Sequence, residues 1–116
     1  MDAQSDMPPK AEEQSKSQLV LSATWEGHDD RVWSLAWQPV QANTTGTPSP
    51  LLASAGSDKK VKIWHEDSPS KWKCVCTLDE GHTKTIRHLS WSPHGTLLAS
   101  ASFDGTTCIW RKEIDE

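Results

Sequence analysis

The stretch WSPHGTLLASASFDGTTCIW, residues 91–110, decides how the rest of this chain is read. Two short apolar runs, residues 97–101 and 106–110, flank a Phe-Asp-Gly turn, the pattern of adjacent strands joined by a tight connection. The same words stand upstream as Trp37-Gln38-Pro39, as LLASAGSD at 51–58 and as VKIW at 61–64. Self-similarity on this scale marks a repeat architecture, so the fold follows from the repeat.

Two units lie one after the other. His28 to Trp37 has the spacing of His82 to Trp91, and Asp58 to Trp64 that of Asp104 to Trp110. Between these matched halves unit one carries extra residues within 38–50, whose Asn, Thr, Gly, Ser and Pro read as a loop. Loop length is added at small entropic cost while the flanking strands stay intact. Each unit opens on Gly-His, runs into a strand (32–37 and 86–91) and passes Gln-Pro or Ser-Pro. A second strand holding Leu-Leu-Ala-Ser follows, then an Asp turn and a third strand ending in Trp. Residues 72–78 form a fourth strand of unit one, and residues 19–25 read as a further strand upstream. Val32 and Leu35, like Ile86 and Leu89, are out of strict alternation and predict a β-bulge in each first strand.

Composition narrows the function classes. A net charge of −4 opposes a nucleic-acid or anionic-membrane footprint, so neither is expected as a partner. No apolar run reaches membrane-spanning length. Residues 1–18 are polar, carry Pro8-Pro9, and lack the apolar centre of a secretory signal. They bury too little apolar surface to offset ordering and are expected to be a disordered tail. Three cysteines without a signal imply reduced thiols in the cytosol or nucleus. Cys74 and Cys76 share a strand face, but no second pair stands at zinc or cluster spacing, so neither a metal site nor a cofactor is expected.

Four short strands per unit, Gly-His at the start and Trp near the end, resemble the WD-repeat β-propeller family. Trp64-His65 and Trp110-Arg111 stand where the family name has Trp-Asp. The resemblance implies an all-β propeller fragment: one complete four-stranded blade, three strands of a second, and an N-terminal closing strand. In that frame 19–26 close the last blade and 27–80 are the first repeat, with its loop insertion at 38–50. Residues 81–112 are an incomplete second repeat and 113–116 a C-terminal tail.

The resemblance also matches His28, Ser54, Asp58 and Trp64, and again His82, Ser100, Asp104 and Trp110, to a hydrogen-bonded structural tetrad. The residue types suit that role, since indole N–H only donates, carboxylate only accepts, and hydroxyl and imidazole do both. A Ser-His-Asp hydrolase triad is the sharper alternative. It is set aside because the set occurs twice, each time with a Trp, and no Gly-x-Ser-x-Gly elbow precedes either Ser. No catalytic residue is expected. In the same family the Gly-His loop and the Asp turn share a rim that binds partners. By the matched pattern this rim holds Asp29, Arg31 and Ser57 in unit one, with Thr83, Thr85 and Phe103 in unit two. Phe103 is either an exposed anchor there or packed on the neighbouring blade.

More specifically, HDDRVWSLAWQP at 28–39 and KWKCVCTLDEGHTKTIR at 71–87, running on into the 91–110 stretch, resemble the cytosolic iron–sulfur protein assembly branch of this family. That implies a non-catalytic adapter in a targeting complex with two partner proteins, delivering clusters to cytosolic and nuclear apoproteins. The alternative is another WD-repeat scaffold, such as a chromatin protein or a ubiquitin-ligase substrate receptor. Members of the branch have seven blades, so this chain is expected to be the N-terminal part of a longer protein.

Overall fold

The computed structural model describes residues 17–40 and 49–113. Of the expected tails at 1–18 and 113–116, residues 1–16 and 114–116 lie outside the described residues, as do residues 41–48 of the loop insertion.

Unit one is an antiparallel sheet of β1 (Val32–Trp37), β2 (Leu52–Gly56), β3 (Val61–Ser68) and β4 (Lys71–Leu78), paired in chain order. Unit two is a three-stranded sheet of β5 (Ile86–Trp91), β6 (Leu97–Ser102) and β7 (Thr107–Arg111), also in chain order. Both expected bulges are present. The β1–β2 register shifts between Val32 and Ser34, and the β5–β6 register between Ile86 and His88. Trp33 and Arg87 are therefore the extra residues, the position at which a bulge re-aims a side chain.

The Asp turns are built alike. Asp58 Oδ1 accepts Lys60 N–H at 3.2 Å, and Asp104 Oδ1 accepts Thr106 N–H at 2.8 Å. The residue between is left-handed in both, Lys59 at φ 70° and Gly105 at φ 86°. Glycine adopts that conformation without a steric penalty, and lysine does not.

Strand β2 shows how the units stack. Its small residues leave it buried on both faces, and successive side chains point to opposite sides of the sheet. Ala53 and Ala55 join Val61, Ile63, Ile86, Leu89 and Leu98 in the core between the two sheets. Leu52 and Ser54 line the other face, towards His28 and Trp64. Polar bonds cross the seam between the units. Leu89 N–H donates to Ser34 Oγ at 3.0 Å, Trp91 Nε1 to the Ala36 carbonyl at 3.0 Å, and Gln38 Nε2 to the Gly95 carbonyl at 2.9 Å. The buried face of β5 is thus covered by unit one. The equivalent face of β1 is not: Val32, Leu35 and Trp37 remain exposed.

Residues 19–25, expected as a strand, join no ladder among the described residues, and Leu19, Val20 and Leu21 are exposed. A strand is held by backbone bonds to a neighbour, and none of the described strands forms a ladder with this segment. Its end is anchored instead by aromatic contact. Trp25 stacks on Trp72 with centroids 5.4 Å apart and meets Trp64 at 5.5 Å.

Candidate functional site

Each Gly-His dipeptide places its imidazole between a β-strand serine and a turn aspartate. Glycine precedes the histidine for a steric reason. A Cβ on Gly27 would land on the Trp64 ring, and one on Gly81 on the Trp110 ring. In unit one, His28 Nδ1 lies 2.9 Å from Asp58 Oδ2, and Nε2 lies 2.7 Å from Ser54 Oγ. Trp64 Nε1 donates to the same Oγ at 2.8 Å. In unit two, His82 Nδ1 lies 3.1 Å from Asp104 Oδ2 and from Thr106 Oγ1, and Nε2 lies 2.8 Å from Ser100 Oγ. Trp110 Nε1 donates to Ser100 Oγ at 3.0 Å. All eight expected tetrad residues are thus brought together as two sets of four.

The direction of each chain follows from its indole end. Tryptophan can only donate, so the serine oxygen accepts there and its hydroxyl proton is directed to His Nε2. With Nε2 accepting, the imidazole carries its proton on Nδ1 and donates to the aspartate. The aspartates also cap the loop, Asp58 accepting Asp29 N–H at 3.1 Å and Asp104 accepting Thr83 N–H at 2.8 Å. Burial by itself would raise the Asp58 carboxyl. The bonds from His28, Asp29 and Lys60 outweigh it and hold the group below its ordinary range. Asp104 is held well below that range, chiefly by the Thr106 hydroxyl, with Thr83, the Thr106 backbone and His82 adding to it against a smaller opposing effect of burial.

The Ser-His-Asp geometry is that of a nucleophilic triad, but its surroundings are not. The nucleophile oxygen is held by an indole donor in both units, and Ser100 is 1 % exposed with His82 buried beside it. In unit two that oxygen is enclosed, whereas in unit one Ser54 and His28 help line an open groove. Polar groups that satisfy one another in this way specify packing. In unit one the tetrad face borders an apolar groove of about 360 Å³, lined by Trp25, Val32, Leu35, Leu52 and Trp64 among others. The corresponding face of unit two is the one that packs on unit one, so the groove is the equivalent seam seen open.

The expected rim residues lie together at the Asp-turn end of the sheets. Asp29, Arg31, Thr83 and Phe103 are exposed, while Ser57 and Thr85 are half-buried. Matching backbone bonds link them, Ser57 N–H to the Arg31 carbonyl at 2.8 Å and Phe103 N–H to the Thr85 carbonyl at 3.0 Å. Phe103 is 60 % exposed. It reaches the neighbouring sheet through Arg87, whose guanidinium lies 5.1 Å from the Phe103 centroid and 4.5 Å from that of Trp33. Trp33 and Arg87 were not among the expected rim residues. The signal was present, since the predicted bulge falls on them and an extra residue turns its side chain out of the alternating pattern. Cys74 and Cys76 are exposed on β4, and among the described residues no cluster of His, Cys, Asp and Glu could hold a metal.

Comparison with known proteins follows the repeats. The family model described as "WD domain, G-beta repeat" matches residues 19–65 and 72–111. The chain is 53% identical over 95 residues to "Protein CIA1" of Arabidopsis thaliana, covering 81% of this chain and 27% of that protein. It is 42% identical over 98 residues to the "Probable cytosolic iron-sulfur protein assembly protein Ciao1" of Culex quinquefasciatus, covering 84% of this chain and 27% of that protein. It is 39% identical over 100 residues to the "Probable cytosolic iron-sulfur protein assembly protein 1" of Yarrowia lipolytica, again 84% against 27%. The chain therefore spans about a quarter of the length of these curated relatives.

Proposed function

The chain belongs to the WD-domain, G-beta repeat family, and on that premise we propose that it serves as a non-catalytic adapter in cytosolic iron–sulfur protein assembly. The observation carrying this reading is the identity of 42% and 39% to relatives whose names say cytosolic iron-sulfur protein assembly, each over 84% of this chain. The adapter acts in a targeting complex with protein partners, and the cluster is cargo handed to cytosolic and nuclear apoproteins. Its place of action is the cytosol, which the relatives' names support.

The chemistry of the chain supports an adapter over an enzyme. The two Ser-His-Asp sets spend their donors and acceptors on one another and on Trp64 and Trp110, so their role is structural. Residues 19–26 act as the closing strand of a blade formed elsewhere in the longer protein. The rim of Asp29, Arg31, Ser57, Thr83, Thr85 and Phe103 is the partner-binding face.

Affinity purification of a tagged form from its own cells tests the reading. Co-recovery of iron–sulfur assembly proteins is the expected result. Recovery of chromatin or ubiquitin-ligase subunits in their absence overturns it in favour of another WD-repeat scaffold.

A further inference from the structure

The two bulges put unlike side chains at equivalent points of the rim. In unit one the bulge residue is Trp33, whose Nε1 donates to Ser57 Oγ at 2.8 Å. In unit two it is Arg87, set over Phe103, the residue that stands where unit one has Ser57. Arg87 also reaches across to the Trp33 ring. The result is a continuous row, Ser57, Trp33, Arg87 and Phe103, that crosses from one sheet to the next.

The row is built for recognition. Trp33 is 47 % exposed with its one polar atom already satisfied, so its free surface is apolar. Phe103 adds a second apolar surface. Arg87 is held by both rings through cation–π attraction, which fixes its guanidinium at little entropic cost. Among the described residues no carboxylate pairs with Arg87; what sets it apart from other cations without such a pair, such as Arg31 and Lys84, is its place over two aromatic rings. A stacked guanidinium keeps its N–H donors in plane and directs them outward, the geometry that takes a carboxylate in a bidentate pair. Preorganised Arg beside exposed aromatics is the composition of an interface hot spot. One such cation in a chain of net charge −4 suits an acidic side chain and not a nucleic-acid backbone, which is met by a broad basic stripe.

We propose that Trp33, Arg87 and Phe103 form a single recognition site for an extended, acidic and partly apolar peptide segment of a protein partner. An Asp or Glu of that segment pairs with Arg87, and flanking apolar side chains lie on the Trp33 and Phe103 rings. This deepens the adapter reading and rests on it.

The test uses the full chain and an array of short peptides, in which Asp or Glu is set among apolar and aromatic residues with the Asn or Gln counterparts alongside. Wild type is expected to retain acidic members about tenfold better than their amides. Arg87→Gln should erase that preference, and Arg87→Lys should lose most of it because an ammonium has no planar stack. Phe103→Ala should weaken both peptide classes together, and an unchanged urea midpoint for each variant shows that the fold is intact. No retention of acidic members, or an equal preference in Arg87→Gln, overturns the site. Co-purification with the iron–sulfur assembly proteins separates the two readings. If it persists in Arg87→Gln while the array shows no preference, the site fails and the adapter reading stands.

Discussion

Leu35 and Leu89 occupy the same place in their units, yet Leu35 is 62 % exposed and Leu89 is 3 % exposed. One position in the repeat thus has two fates, decided by whether a sheet lies against it. Leu89→Ala should cost about 2–5 kcal/mol through lost burial and a residual cavity. Leu35→Ala should stay within about 0.5 kcal/mol, as for exposed positions. Urea unfolding followed by tryptophan fluorescence measures both, and equal losses would contradict the seam described above.

Ser100 is the shared partner of His82 and Trp110. Ser100→Ala leaves a half-buried indole N–H and a buried imidazole nitrogen without their partner, at a cost of about 1–3 kcal/mol. Removing the catalytic oxygen of a hydrolase would instead leave stability nearly intact. A variant with wild-type urea midpoint would therefore argue against the structural role.

Both tetrad aspartates titrate below the ordinary carboxyl value of 3.8. A depressed carboxyl stabilises the fold above its unfolded pKa and loses that contribution as pH falls through its folded value. From these groups, stability should be level between pH 7 and about 5 and decline below about 4. Asp58→Asn and Asp104→Asn should start from a lower midpoint at neutral pH and decline less steeply in acid. The measurement is a set of urea midpoints from pH 7 down to about 3.

Lys59 and Gly105 share a left-handed backbone, at φ 70° and 86°. Lys59→Gly should relieve a steric penalty of about 1–2 kcal/mol, offset by the chain entropy of glycine, for a net gain of about 0.5 kcal/mol. Gly105→Ala should lose stability by a comparable amount. Thermal unfolding of the two variants side by side checks the pair, with opposite signs expected.

Cys74 and Cys76 are exposed, while Cys108 is half-buried with its Sγ donating to the Gly81 carbonyl at 3.3 Å. A thiol reagent should label the first two quickly and Cys108 only slowly until urea is added. Three equally fast thiols would place Cys108 outside the Gly81–Trp110 packing.

Much of this molecule was legible in one dimension because a repeat displays its own controls. Gly-His, Leu-Leu-Ala-Ser, the Asp turn and the closing Trp recur at matched spacing, and each has a local cause. Glycine yields to an indole ring, aspartate caps its own turn, and small residues fill a strand buried on both faces. The broken alternation at Val32 and Leu35 even located the bulges. Residues 19–25 were legible only as composition. Their apolar pattern is that of a strand, but a strand requires a partner, and pattern alone does not say whether one is beside it.

By itself the sequence determined the repeat, the order of its strands and a bulge in each first strand, since these rest on local spacing. The family resemblance supplied the membership of both tetrads, which their donor and acceptor types fit. Only the tertiary structure decided which of two equivalent faces is covered, because burial belongs to a pair of sheets and not to a residue. It also decided that Trp33 and Phe103, far apart in the chain, share the guanidinium of Arg87. That contact arises from stacking one unit on the next, at a distance in sequence that no local pattern encodes.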